Sequence, residues 1–263
     1  MARPEQRLRP GPALLVGVVM LYIFVILVGP VFALLVETVR LGASRIIDVV
    51  TRPDALQALR LSLVLVGIAL CVNAVVGLLG AIAIVRHRFP GRALLSALVD
   101  LPLAISPVMI GLAFILLVGR DGWLHPVIEA LHLKIMFSFP GLVIATLFVT
   151  LPFTVREVAY VMEERGSDDE EAATILGASP WQTFWHVTLP NIRLGLAYGL
   201  LMTTARTLGE FGAVLVLGGG ISGRTQTATT FINDAVEERE SAGAYGMAVL
   251  LALTSVALLL ALE

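Results

Sequence analysis

The sequence has one cysteine, Cys71, and it lies within an apolar run. A lone cysteine excludes a disulfide framework and any cysteine-built metal cage. Charge is scarce as well: 14% of the 263 residues are Asp, Glu, Lys or Arg, with a net charge of -2. Nucleic acid is therefore not an expected partner, because no basic patch interleaves with aromatic residues as a binding groove requires. His87, His125, His132 and His186 show no i, i+4 metal pair and no adjacent carboxylate at ligand spacing, so no metal site is expected. A Gly-x-Ser-x-Gly elbow and a catalytic cysteine are also missing, which leaves acyl transfer without a nucleophile. No internal repeat, low-complexity tract or long linker divides the chain.

Apolar residues are what the chain has in excess. They make up 57% of it and give a mean hydropathy of +0.91, outside the range of ordinary soluble domains. They fall in long uninterrupted runs, and a helix needs about 20 such residues to cross the hydrocarbon layer. Six segments qualify or nearly so: Ala13 to Val36, Leu61 to Val85, Leu94 to Val118, Gly141 to Val158, Leu194 to Leu217 and Gly243 to Leu262. The expected fold is an all-α polytopic membrane helix bundle with six transmembrane helices. Residues 1–60 form a tail, the first span and an external loop, and residues 61–263 the main membrane domain. The first run is too long for a signal peptide and has no small-residue cleavage site. Lys and Arg divide evenly between the two sides, but Arg86, His87, Arg88 and Arg92 crowd one short acid-free loop. That density favours a cytoplasmic N-terminus.

Between the fourth and fifth spans lies a polar stretch, Tyr160 to Arg193, patterned for two short helices. Ser167 and Glu170 have capping-box spacing, and Asp168 to Glu171 put negative charge at a helix N-terminus. Ala172, Ile175 and Leu176 share a face, and Gly177 can take the left-handed conformation that closes such a helix. Ser179, Pro180 and Gln182 repeat the capping pattern; Trp181, Phe184, Trp185 and Thr188 follow at helical spacing, and Pro190 is expected to stop the helix. Spacing fits two readings equally, helices resting among lipid headgroups or a docking site for a cytoplasmic partner.

The same residues resemble a known family. Glu171-Ala172-Ala173, Gly177 and Val187-Thr188-Leu189-Pro190 are similar to the EAA loop of ABC importer permeases, with Val187 where the family usually has isoleucine. The resemblance extends from about Leu61 onward through Asp100-Leu101-Pro102, Ser106-Pro107, Phe148 to Pro152 and Thr204 to Ala213. Together these look like the sulfate and thiosulfate permeases, most of all their W-type subunit; molybdate permeases share parts of the pattern. The resemblance implies that the loop of about 160–193 is a cytoplasmic coupling loop, with Glu171, Ala172, Ala173, Gly177, Leu189 and Pro190 at or beside the contact with an ATPase. It further implies a second permease subunit, two ATPase subunits that hold ATP and magnesium, an extracytoplasmic anion-binding protein, and a place in the cytoplasmic membrane. No cofactor is expected on this chain itself.

Arg206 and Glu210 stand four apart in the fifth span, where charge is costly and marks a functional path or a structural pair. Asp100, Pro102, Ser106 and Pro107 interrupt the third span, and Asp100 looks unpaired. Asp100, Ser106, Arg206 and Glu210 are the translocation candidates. Gly218, Gly223, Arg224 and Thr225 nearly spell a P-loop, but arginine replaces its lysine, so turns or a gate are expected. A molybdate or tungstate permease is the neighbouring alternative. A secondary transporter or channel should show repeats or paired broken helices, and an intramembrane enzyme should show a catalytic pair within the spans.

Overall fold

The computed structural model describes residues 10–262, and the side chains of residues 14–262. The described residues form helices and turns only, as apolar runs of this length demand where no water pairs with the backbone. Helix α1 carries the apolar stretch Leu14–Leu41, with a π-helical turn at Phe24–Val28. After it come α2 (Ala43–Val50), α3 (Pro53–Arg86), α4 (Arg92–Ala104), α5 (Pro107–Val118) and α6 (His125–Ala130). The second half holds α7 (Phe139–Arg165), α8 (Asp168–Ile175), α9 (Pro180–Leu208), α10 (Gly212–Gly218), α11 (Ala228–Glu237) and α12 (Ser241–Leu262).

Four helices, α1, α3, α7 and α12, are long and apolar enough to cross a membrane, and there are six spans if each bent pair, α4 with α5 and α9 with α10, counts as one. The third and fifth expected spans are thus broken, by bends of 119° and 56°. The region 37–60, read from sequence as a loop, is mostly helical: α2 lies inside it and α3 starts at Pro53. The fourth span is also longer than its apolar run, because α7 continues to Arg165.

Helix α7 is the centre of the bundle, packed along both α3 and α9. Lipid offers no hydrophobic drive between helices, so close backbone approach and polar contacts must hold them. A Cβ on Gly77 of α3 would stand 2.7 Å from Thr154 Cγ2, and one on Gly199 of α9 would stand 2.8 Å from Thr154 Cα. Beside this contact Thr154 and Thr203 share a hydrogen bond of 3.0 Å, and Asn73 Nδ2 donates to Thr150 Oγ1 at 2.8 Å. A second cluster joins Val49, Val66, Phe231 and Met247 from α2, α3, α11 and α12. By contrast the apolar window of α1 has none of its residues buried within this chain.

Candidate functional site

Helix α7 stops at Gly166, whose φ of +71° lies outside the reach of most side chains. Residues 167–183 then make a hairpin of two short helical pieces, α8 and the first turn of α9. Four acidic residues occupy the first turn of α8, where they oppose the positive helix end. The expected Ser167–Glu170 capping box does not form: the Ser167 hydroxyl donates to Glu171 Oε1 at 2.7 Å instead, and Glu170 turns toward Arg86. The competing cation outbids the backbone amide for that carboxylate.

Gly177 closes α8 as predicted, with φ +89°. Ala178 N donates to Ala173 O, and Gly177 N to Thr174 O, each at 3.0 Å. This pair of bonds is the Schellman pattern, which satisfies the last carbonyls of the helix. The second capping box does form: Gln182 N donates to Ser179 Oγ at 3.3 Å and Ser179 N to Gln182 Oε1 at 2.8 Å.

Pro190 does not end the second piece. Helix α9 runs without a break from Pro180 to Leu208, through a π-helical turn at Phe184–Thr188 in which Leu189 N donates to Phe184 O. In an α-helix a proline ring collides with the carbonyl four residues back; the wider π turn immediately before Pro190 makes room for it. The polar loop expected over 160–193 therefore shrinks to the hairpin, with its flanks absorbed into α7 and α9.

The hairpin leaves large apolar groups in the open. Ile175 is 85% exposed, Leu176 88% and Trp181 70%. Trp181, Phe184 and Trp185 form one aromatic cluster with ring centroids 5.3 to 6.1 Å apart. Glu171, Ala172 and Gly177 are exposed, Ala173 is half-buried, and Leu189 and Pro190 sit at the foot of the span. Exposed apolar patches of this kind mark contact surfaces.

Of the translocation candidates, Arg206 and Glu210 pair with each other, and Asp100 pairs with a residue outside the set. Arg206 Nη2 lies 2.6 Å from Glu210 Oε2, as their spacing predicted, but Glu210 is not on the same helix: α9 has ended, and Glu210 stands in the break before α10. Its other oxygen accepts from Ala213 N at 2.9 Å and so caps α10, while its backbone carbonyl accepts from Thr229 Oγ1 at 2.7 Å. Glu210 is only 2% exposed. Asp100, expected to lack a partner, is paired: Arg156 Nε and Nη2 donate to its two oxygens, each at 2.6 Å, and Nη2 also reaches Ser96 Oγ at 2.7 Å. Arg156 was missed in the sequence. Its signal in the sequence was weak, a cation next to Glu157 and two residues short of the end of the apolar run at Val158.

The two breaks meet. A Cβ on Gly212, at the start of α10, would stand 3.2 Å from Pro107 Cβ and 3.0 Å from Val108 Cγ2 at the start of α5. Ser106, exposed at the head of α5, thus lies beside the fifth-span break, whereas Asp100 is bound to Arg156 and not to Arg206. Paired broken helices, expected of secondary transporters, are therefore present here and do not discriminate. Gly219, Gly220 and Gly223 all have positive φ, and Thr225 Oγ1 donates to Gly218 O at 2.7 Å, so the near P-loop is a tight turn. His125 does have a carboxylate at helical spacing, Glu129, at 3.7 Å; no group of three potential metal ligands occurs among the described residues.

Comparison with known proteins agrees with this architecture. The chain is 45% identical over 240 residues to the sulfate transport system permease protein CysW of Synechococcus elongatus, covering 91% of this chain and 84% of that one. It is 42% identical to CysW of Escherichia coli, over 94% of this chain and 84% of that one, and 34% identical to CysT of the same organism, over 98% and 94%. Its fold is similar to that of a bacterial alginate ABC transporter solved with an alginate-bound periplasmic protein, at a TM-score of 0.79 and 18% identity, over 95% of this chain and 91% of that one. The profile of binding-protein-dependent transport system inner membrane components matches residues 73–263, and the chain belongs to that family of ABC transporter permeases.

Proposed function

We propose that this chain is the permease subunit of an ATP-driven importer that carries sulfate, and with it thiosulfate, across the cytoplasmic membrane. The supporting observation is the capped hairpin of α8 and the start of α9, with its exposed Ile175, Leu176 and Trp181, on a chain 42 to 45% identical to sulfate permeases. In this reading the hairpin docks on a cytoplasmic ATPase, ATP and magnesium are bound by that partner, and Glu171 sits at the contact. The N-terminus is cytoplasmic, which places the 218–227 turn on the outer face. Similarity to both CysW and CysT of one organism supports a heterodimer of two related permeases. Two ATPase subunits and an external anion-binding protein complete the assembly.

Uptake of radiolabelled sulfate, in cells with and without the gene, tests the reading. Loss of uptake on deletion, with competition by unlabelled thiosulfate, is expected. Unchanged sulfate uptake with loss of molybdate uptake would move the chain to a molybdate or tungstate importer. Mixing the membrane-embedded chain with its ATPase separates either importer from a secondary transporter or channel, because only an importer recruits the ATPase, and Glu171→Lys weakens that recruitment.

A further inference from the structure

Helix α8 is eight residues long and has no buried residue. Isolated helices shorter than about 12 residues are marginal in water, and the apolar side chains that end this one, Ile175 and Leu176, point away from the bundle. Its position must come from polar contacts: Asn191 Nδ2 of α9 donates to Asp169 Oδ2 at 3.0 Å, and the more shielded contacts converge on one guanidinium. Arg86, the last residue of α3, places Nε 2.8 Å from Glu170 Oε2. Its Nη2 donates to Gly166 O at 2.6 Å and its Nη1 to Met162 O at 3.3 Å, both carbonyls at the end of α7. Glu170 in turn accepts from Thr188 Oγ1 at 2.8 Å, and Thr188 is buried in the π-helical turn of α9. Both Arg86 and Glu170 side chains are four-fifths shielded.

We infer that Arg86 is a positioning residue that seats α8 against the ends of α3, α7 and α9, so that displacement of the docking hairpin is passed to the spans. A planar guanidinium can serve a carboxylate and two carbonyls at once, which a lysine ammonium does less well. At its far end α3 is tied again, by Gln57 Nε2 donating to Gly223 O at 2.6 Å and by Ala228 N donating to Ser62 Oγ at 2.9 Å. A stiff helix of 34 residues, about 51 Å at 1.5 Å per residue, thereby joins the hairpin to the opposite turn. This inference rests on the reading that the hairpin docks an ATPase.

Two readouts on the full permease complex test it: hydrogen exchange of the 168–175 amides in the permease before the ATPase is added, and sulfate imported per ATP hydrolysed after it is added. Arg86→Gln and Glu170→Gln should each speed that exchange about tenfold or more, as loss of charge-assisted hydrogen bonds implies, and lower sulfate imported per ATP several-fold. Arg86→Lys, which keeps the charge and serves if the glutamine variant fails to insert, should fall between. Arg88→Gln removes a charge two residues away and should leave both readouts at the wild-type value. Unchanged exchange in Arg86→Gln or Arg86→Lys overturns the seat. Faster exchange with unchanged import per ATP overturns the coupling role and reduces Arg86 to local structure. Failure of the wild-type chain to recruit any ATPase defeats the docking reading instead, and the exchange result still decides the seat.

Discussion

Arg156 of α7 grips Asp100 of α4 through both carboxylate oxygens, 56 positions away in the chain. Such a pair within a span fastens the helix before the break to the central helix of the bundle. Removing one partner leaves a charge without a counter-ion, so Arg156→Met and Asp100→Leu alone should each reduce assembled permease more than the double replacement does. Thermal unfolding of the four proteins should give a coupling of roughly 0.5 to 3 kcal/mol. Strict additivity would show that the contact contributes nothing.

Glu210 holds the second break together, and its loss should be severe. Glu210→Ala strands Arg206 and the Ala213 amide, at a cost of about 3 to 5 kcal/mol, visible as loss of folded protein. Arg206→Lys keeps a counter-ion for Glu210 and separates structure from transport: if the Arg206 guanidinium favours the anion, uptake falls while assembly is normal. Normal uptake with normal assembly would leave Arg206 a structural partner of Glu210.

Gly199 should not tolerate a methyl group. Alanine there meets the Thr154 backbone at 2.8 Å, and overpacking of this kind costs about 1 to 3 kcal/mol. Gly67 of α3 has nothing within 4 Å of its Cβ position, so Gly67→Ala should stabilise by about 0.5 to 1 kcal/mol through helix propensity. Melting of the purified protein reads both, and equal shifts would contradict the close packing of α7 against α9.

Gly177 makes the opposite prediction from the same kind of substitution. Space is free around its Cβ position, yet its φ is +89°, so Gly177→Ala carries strain of about 1 to 2 kcal/mol with no clash. ATPase recruitment should weaken by up to about tenfold, and Gly177→Asn should be milder because asparagine tolerates the left-handed region. Equal recruitment by glycine and alanine would mean that the turn is not needed in this form.

Much of the fold was legible because it depends on local chemistry. Long apolar runs specify helices of membrane length, and the Ser179 and Gly177 signals act within a few residues of themselves, so both were read correctly. Ser167 was misread because the outcome depended on Arg86, which a local pattern does not contain. Pro190 was misread because the usual rule assumes an α-helical turn ahead of it, and Phe184–Thr188 form a wider one. Arg156, beside Glu157 at the end of its apolar run, carries little local signal, and its partner Asp100 cannot be read from spacing at all.

The sequence by itself determined the class of this protein: apolar runs that only helices can carry through lipid, a charged hairpin with its caps and its left-handed glycine, and a pair of charges at 206 and 210. Tertiary structure alone decided that Asp100 belongs to Arg156, that Gly212 meets Pro107 where two spans break, and that Arg86 gathers three helix ends. Periodicity and capping act over one turn of helix, whereas these pairings join residues 56 to 105 positions apart and depend on how the helices cross.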